Sequence, residues 1–196
     1  SEMCIRDRND AEAQTMCRAY AKKFYDLLGD AVYDEDVAGL EETVVHTLQA
    51  NGLTIATAES CTGGMISGAV TSISGSSAVI ELGVCSYSNR IKHKILHVPA
   101  EVLKRFTEYS VECAAEMAKG VMELSGADYG VSTTGVAGPT GGSAEHPVGE
   151  VCIAVSGRNG CRSERFLFAQ GSADRELIRA LAAEKALSML LCEIKK

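Results

Sequence analysis

The sequence predicts an α/β protein, a three-layer α/β/α sandwich with a largely parallel sheet and an antiparallel hairpin at one side. Short apolar runs alternate with segments whose apolar residues recur at threes and fours, the pattern of strands separated by helices. Late in the chain, two strand-like runs flank Gly157-Arg158-Asn159-Gly160, which marks a hairpin. No internal repeat is evident. With 196 residues, 46% of them hydrophobic and 23% charged, the chain can bury a core of ordinary domain size. Disordered, collagen-like and disulfide-scaffold classes are excluded by the same composition.

Residues 1–8 read as a non-native leader and are set aside. Residues 9–36 read as a helix and linker, the tail of a preceding domain, and 37–196 as the main domain. Met16, Tyr20, Phe24, Leu27 and Leu28 form an amphipathic helix over 11–28 that stops at Gly29, and acidic residues follow from Asp30 to Asp36. Asp36 is the expected N-cap of a helix carrying Leu40, Val44 and Leu48, stopped by Asn51-Gly52. A strand over 53–58 runs into a glycine-containing segment, 62–72, with helical spacing of Met65, Ile66, Ala69 and Val70. A second strand is expected over 79–86 and a short helix over 90–96, ended before Pro99. A longer helix opens at Ser110 and ends at Gly126. Then come a strand over 128–134, a loop with four glycines and two of the three prolines over 135–147, and hairpin strands over 150–155 and 162–168. The last helix starts near Asp174, with Ala180, Ala183, Leu187, Leu190, Leu191 and Ile194 assigned to its inner face.

Nineteen basic and 26 acidic residues give a formal charge of −7, which repels phosphate backbones and anionic lipid, so neither nucleic acid nor membrane is an expected partner. No apolar run reaches membrane-spanning length, and a cytoplasmic location is expected. Eight cysteines lie scattered without a C-x-x-C pair, and the four histidines form no H-E-x-x-H; the cysteines read as reduced packing residues, and no metal or cofactor is expected.

Three strand ends carry candidate chemistry. In Ala58-Glu59-Ser60-Cys61-Thr62-Gly63-Gly64, Ser60 or Cys61 stands as a nucleophile on a sharp turn, with free N–H groups of the helix start available to an oxyanion. Plain helix capping explains the same spacing. Tyr87-Ser88-Asn89-Arg90-Ile91-Lys92 follows the second strand; Lys92, its pKa lowered by burial or by a neighbouring cation such as Arg90, could accept the Ser60 proton, with Tyr87 relaying or orienting it. The plain alternative is that Lys92, His93 and Lys94 form a solvated charge run. The third, Thr133-Thr134-Gly135-Val136-Ala137-Gly138, has glycines and hydroxyls suited to phosphate or ribose but lacks P-loop and dinucleotide spacing. Arg175, opening the last helix, is either a phosphate clamp or a surface ion-pair partner.

Taken together, AESCTGG, GVCSYSNRIK, TTGVAGPTGG with PVGEVCIAV, and DRELIR resemble the C-terminal domain of the competence/damage-inducible protein CinA family, the nicotinamide-nucleotide amidase family, over about residues 40–191. The resemblance implies hydrolysis of the carboxamide of nicotinamide mononucleotide to nicotinic acid mononucleotide and ammonia. It implies Ser60 as nucleophile, Lys92 as base and Tyr87 as the assisting residue. Thr62, Gly63, Gly64, Asn89, Thr134, Gly135, Gly138 and Arg175 become substrate-binding residues, with no metal or cofactor, and a homodimer or higher assembly is implied. A non-catalytic nucleotide-binding module is the alternative. This chain differs from the family pattern at His146, at Thr107-Glu108-Tyr109, and where Ser172-Ala173 separates Gly171 from Asp174.

Overall fold

The computed structural model describes residues 9–29, 32–169 and 174–196. Residues 1–8, 30–31 and 170–173, which include the Gly171-Ser172-Ala173 stretch, lie outside the described residues. The chain divides into two compact units, Ser1–Ala38 and Gly39–Lys196. The first contains helix α1 (Asp10–Leu28), whose N-cap Asn9 accepts a hydrogen bond from the Glu12 N–H at 3.0 Å. No residue of α1 is buried. Asp36 does not cap the next helix; it takes a left-handed φ of 58°, and Gly39 is the N-cap instead.

The second unit is built on a five-stranded sheet of β1 (Ile55–Glu59), β2 (Ile80–Cys85), β3 (Tyr129–Gly135), β4 (Glu150–Gly157) and β5 (Gly160–Leu167). Its order is β2-β1-β3-β4-β5. β1 is parallel to both β2 and β3, while β3–β4 and β4–β5 are antiparallel. The helices are α2 (Leu40–Asn51), α3 (Met65–Thr71), α4 (Asn89–Leu96), α5 (Ala100–Phe106), α6 (Val111–Ser125) and α7 (Arg175–Ile194). Helices α2, α3 and α7 cover one face, α6 with α4 and α5 the other, which completes the α/β/α sandwich.

Alternation along the strands separates two cores. Ile55, Val131, Val151, Ile153 and Val155 pack with Leu48 of α2 and Ile178 and Leu190 of α7. Burying each such side chain contributes about 1.5–3 kcal/mol. The opposite face is made of small residues, with Ala56 and Ala58 against Met117 and Val121, and Cys152 and Ala154 against Ala114 and Ala118. Small side chains let α6 lie close to the sheet: a Cβ on Gly130 would stand 1.9 Å from the Ala118 carbonyl oxygen.

Helix α5 was not expected from sequence; Pro99, which ends α4's segment, also serves as the N-cap of α5. Ala180 is exposed, and the inner face of α7 runs through Ile178, Ala182, Ala186 and Met189. Of the seven described cysteines, Cys61, Cys113 and Cys152 are buried, as packing residues would be, whereas Cys17, Cys85, Cys161 and Cys192 are exposed. Among the described residues, no helix is long and apolar enough to cross a membrane.

The topology matters for the site. From β1 the chain moves to β2 on one side and later returns to β3 on the other, so the carboxyl ends of three parallel strands lie together, with Glu59 in register with Cys85 and Thr133. Open α/β sheets bind ligands at such a reversal.

Candidate active site

The chain leaves β1 through a turn that is specified on both sides. Ser60 N–H donates to the Thr133 carbonyl at 3.0 Å, extending the pairing with β3 by one residue. Gly63 and Gly64 then take left-handed φ values of 61° and 97°, which a side chain would oppose. The Glu59 carboxylate, fully buried, folds back under the turn: Oε2 accepts from Thr62 Oγ1 at 2.7 Å, Gly64 N at 2.9 Å and Ile66 N at 3.1 Å. Its other oxygen, Oε1, accepts from the Ser67 N–H and hydroxyl, both at 2.9 Å. From the opposite side Arg179 of α7 donates Nε to the Cys61 carbonyl at 3.0 Å and Nη2 to the Thr62 carbonyl at 2.7 Å. A carboxylate thus gathers the turn's donors and a guanidinium gathers its acceptors.

Lys92 meets Ser60 from β2's side. Ser88 caps α4, which places Lys92 on the helix face turned into the protein, and its side chain is only 1% exposed. Nζ donates to Ser60 Oγ at 3.0 Å and to the Ser86 carbonyl at 2.9 Å, with the Tyr87 carbonyl at 3.5 Å. Burial pushes the Lys92 pKa below the ordinary lysine value, partly opposed by Cys113, Glu108 and Cys61. Arg90 is exposed, so burial rather than a neighbouring cation supplies the shift. The solvated-run alternative fails for Lys92, although His93 and Lys94 are exposed. The Ser86 hydroxyl beside this pair is buried with no hydrogen-bond partner among the described residues.

Other expected site residues fall into different places. Tyr87 is 66% exposed; its hydroxyl accepts from Arg175 Nη2 at 3.2 Å, and only its backbone carbonyl reaches Lys92. Its phenol is therefore not hydrogen-bonded to Ser60 or Lys92 in this conformation. Arg175 also donates Nη1 to the Gly138 carbonyl at 2.8 Å, so it links the β2 exit to the β3 exit rather than pairing with a surface acid. Asn89 donates Nδ2 to Glu108 Oε2 at 3.0 Å. Thr62 points into the fold, shared between Glu59 and Thr133 Oγ1, and is fully buried. The Gly64 N–H is taken up by Glu59, which removes it from the oxyanion donors expected at 62–64. Gly63 remains exposed at the turn.

Thr134 donates Oγ1 to the Glu108 carbonyl at 2.6 Å, a backbone tie rather than an open hydroxyl. Gly135 is set by close packing, since a Cβ there would stand 2.3 Å from the Glu150 carbonyl oxygen. Gly138 combines a left-handed φ of 71° with a Cβ position 2.4 Å from Val148, so the loop closes on itself at this residue. Cys61 is 5% exposed and burial pushes its thiol up to about 11, which leaves it protonated and a poor nucleophile near neutrality.

Glu59, Arg179 and Glu108 were not selected from sequence. An acidic residue ending an otherwise apolar strand signals Glu59, because such a charge must be satisfied locally. Arg179 lies four residues after Arg175 on the same helix face, a weaker signal. Nothing in the spacing marks Glu108.

Among known proteins, residues 37–194 match the family model described as the CinA C-terminal domain. The chain is 43% identical over 195 residues to a CinA-like protein of Desulfovibrio desulfuricans, covering 97% of this chain and 46% of that protein. It is 42% identical over 172 residues to a CinA-like protein of Geotalea daltonii, covering 88% and 41%. It thus spans less than half the length of these curated relatives. The crystal structure of competence/damage inducible protein CihA from Agrobacterium tumefaciens superposes with a TM-score of 0.77 at 39% identity, covering 84% of this chain and 99% of that one. Sequence match and shared architecture together establish that the chain belongs to the CinA C-terminal domain family.

Proposed function

We propose that this domain hydrolyses the carboxamide of nicotinamide mononucleotide by a serine/lysine mechanism. The observation that carries the proposal is the 3.0 Å contact between Lys92 Nζ and Ser60 Oγ, made by an amine buried away from any carboxylate ion pair among the described residues. An amine destabilised as a cation is suited to be a base, and a serine needs one.

The neutral Lys92 amine takes the Ser60 proton as Oγ forms a bond to the amide carbon, giving a tetrahedral oxyanion. The ammonium of Lys92 then returns that proton to the amide nitrogen as the C–N bond breaks, and ammonia leaves. Water adds to the acyl-serine, Lys92 accepting its proton and passing it back to Ser60 Oγ as the ester bond breaks. The products are the carboxylic acid nucleotide and the regenerated enzyme. Glu59 and Arg179 keep Ser60 in place through these steps. Arg175 bonds the Tyr87 hydroxyl and the Gly138 carbonyl from the helix start, and exchanging those neutral partners for the substrate phosphate is its role in this reading.

The deciding experiment is ammonia release from nicotinamide mononucleotide, measured beside nicotinamide and unrelated amides. Wild-type turnover lost in Ser60→Ala and in Lys92→Met is the expected result. Binding of the nucleotide without any ammonia release would instead assign the domain as a binding module.

A further inference from the structure

We infer that Glu108 is a specificity-determining residue that selects substrates whose amide-bearing ring carries a positive charge, the N-substituted pyridinium class, over uncharged rings of the same shape. This inference rests on the amidase reading of Ser60 and Lys92 and names the feature of the substrate that the site senses.

The carboxylate of Glu108 is held at the Lys92 face of α4. Asn89 stands one helical turn before Lys92, so the two share a face, and its Nδ2 fixes Glu108 Oε2 at 3.0 Å. The backbone around Glu108 is tied from several directions. Thr134 Oγ1 binds its carbonyl at 2.6 Å, Cys152 Sγ lies 3.3 Å from the Tyr109 carbonyl, and Ser110 Oγ binds the Thr107 carbonyl at 3.0 Å. Thr107 is held at φ 67°, ψ 173°, a region that a β-branched residue avoids. A surface glutamate serving only solubility needs none of this.

The Glu108 carboxylate is not locked in a direct salt bridge with another described side chain. Among the described residues it forms no ion pair within 4.0 Å, and Lys92 is turned to Ser60 and two carbonyls instead. Burial raises the Glu108 pKa, but hydrogen bonds from Asn89, from its own backbone and from Tyr109 together with the charge of Lys92 outweigh it, so the carboxylate stays ionised. In the same segment, Tyr87 carries Arg175. The segment that carries Lys92 to Ser60 thus also holds a guanidinium at Tyr87 and a carboxylate at Asn89. A ligand with a cationic ring and an anionic phosphate complements both charges.

The test compares nicotinamide mononucleotide with its reduced form, which keeps ribose, phosphate and carboxamide but has a neutral ring. Dissociation constants are measured by calorimetry with the Ser60→Ala protein, so that no turnover intervenes, with and without Glu108→Gln. The expected result is about tenfold tighter binding of the cationic form, falling to about twofold in Glu108→Gln, with the affinity of the neutral form little changed. An unchanged ratio, or equal weakening of both forms, overturns the role of Glu108. Glu108→Ala and steady-state KM values for both nucleotides with Ser60 present serve as the second route, with circular dichroism confirming folded protein. Wild-type turnover with an unaltered ratio sinks only the Glu108 inference. Absence of nucleotide binding or of turnover sinks the amidase reading and this one with it.

Discussion

Two glycine-bearing turns leave adjacent strands of this sheet, and they use their peptide groups in opposite ways. The turn after β1 is short and held from both sides: Glu59 takes the Gly64 and Ile66 N–H groups, Arg179 the Cys61 and Thr62 carbonyls, and Ser60 stands on that frame. The loop after β3 is longer, exposed from Pro139 to Glu145, and anchored at its ends by Arg175 on the Gly138 carbonyl and by His146 on Glu150 at 2.8 Å. A nucleophile needs the first kind of surroundings, because misplacement by an ångström is costly in rate. A ligand-embracing loop suits the second kind, because it must give way as substrate enters.

Substitutions can break this contrast. Ser60→Ala and Lys92→Met should each lower kcat about 10⁴-fold or more, measured by ammonia release, with cooperative thermal unfolding retained. Next comes Glu59→Gln. An amide cannot accept at both ends, so buried donors lose their partner, and the expected cost is about 3 kcal/mol, read from chemical denaturation. Arg179→Ala should lower kcat about tenfold while KM changes little, since it releases the carbonyls of Cys61 and Thr62 without touching substrate groups.

The pH profile sharpens the same comparison. Lys92 must be neutral to accept a proton, so activity falls as pH drops through its pKa, and burial sets that limb below the ordinary lysine value. Glu108 stabilises the protonated amine; Glu108→Gln should therefore move the acidic limb of kcat/KM to lower pH. The smallest effect is expected in the open loop. Gly141 has φ 86° with nothing within 4 Å of a Cβ, so Gly141→Ala should cost about 1 kcal/mol by backbone strain alone and leave kcat unaltered.

The strand, turn and helix around Ser60, the cap at Ser110 and the hairpin at 157–160 were readable because each depends on residues within a few positions of one another. Errors arose where local signals competed. Asp36 has the chemistry of an N-cap but yields to Gly39, and Pro99 ends one helix segment while opening another. Ala180 fits a helical stripe by spacing, yet α7 is rotated so that Ile178 and Ala182 face the sheet. The bonds of the Thr62 hydroxyl to Glu59 and to Thr133, 71 positions away, are not written in local spacing.

Periodicity and turn chemistry sufficed to specify an α/β sandwich and to put Ser60, Tyr87 and Thr134 at strand ends, since those signals are short-range and written in consecutive residues. Which of them meet was decided by the sheet order and by α7 crossing over the turn. Lys92 reaches Ser60 from 32 positions away, Arg179 reaches Cys61 from 118, and Glu108 is held beside Asn89 from 19. Such contacts depend on strand register and helix rotation, which follow from packing the whole core at once and leave no trace in local spacing.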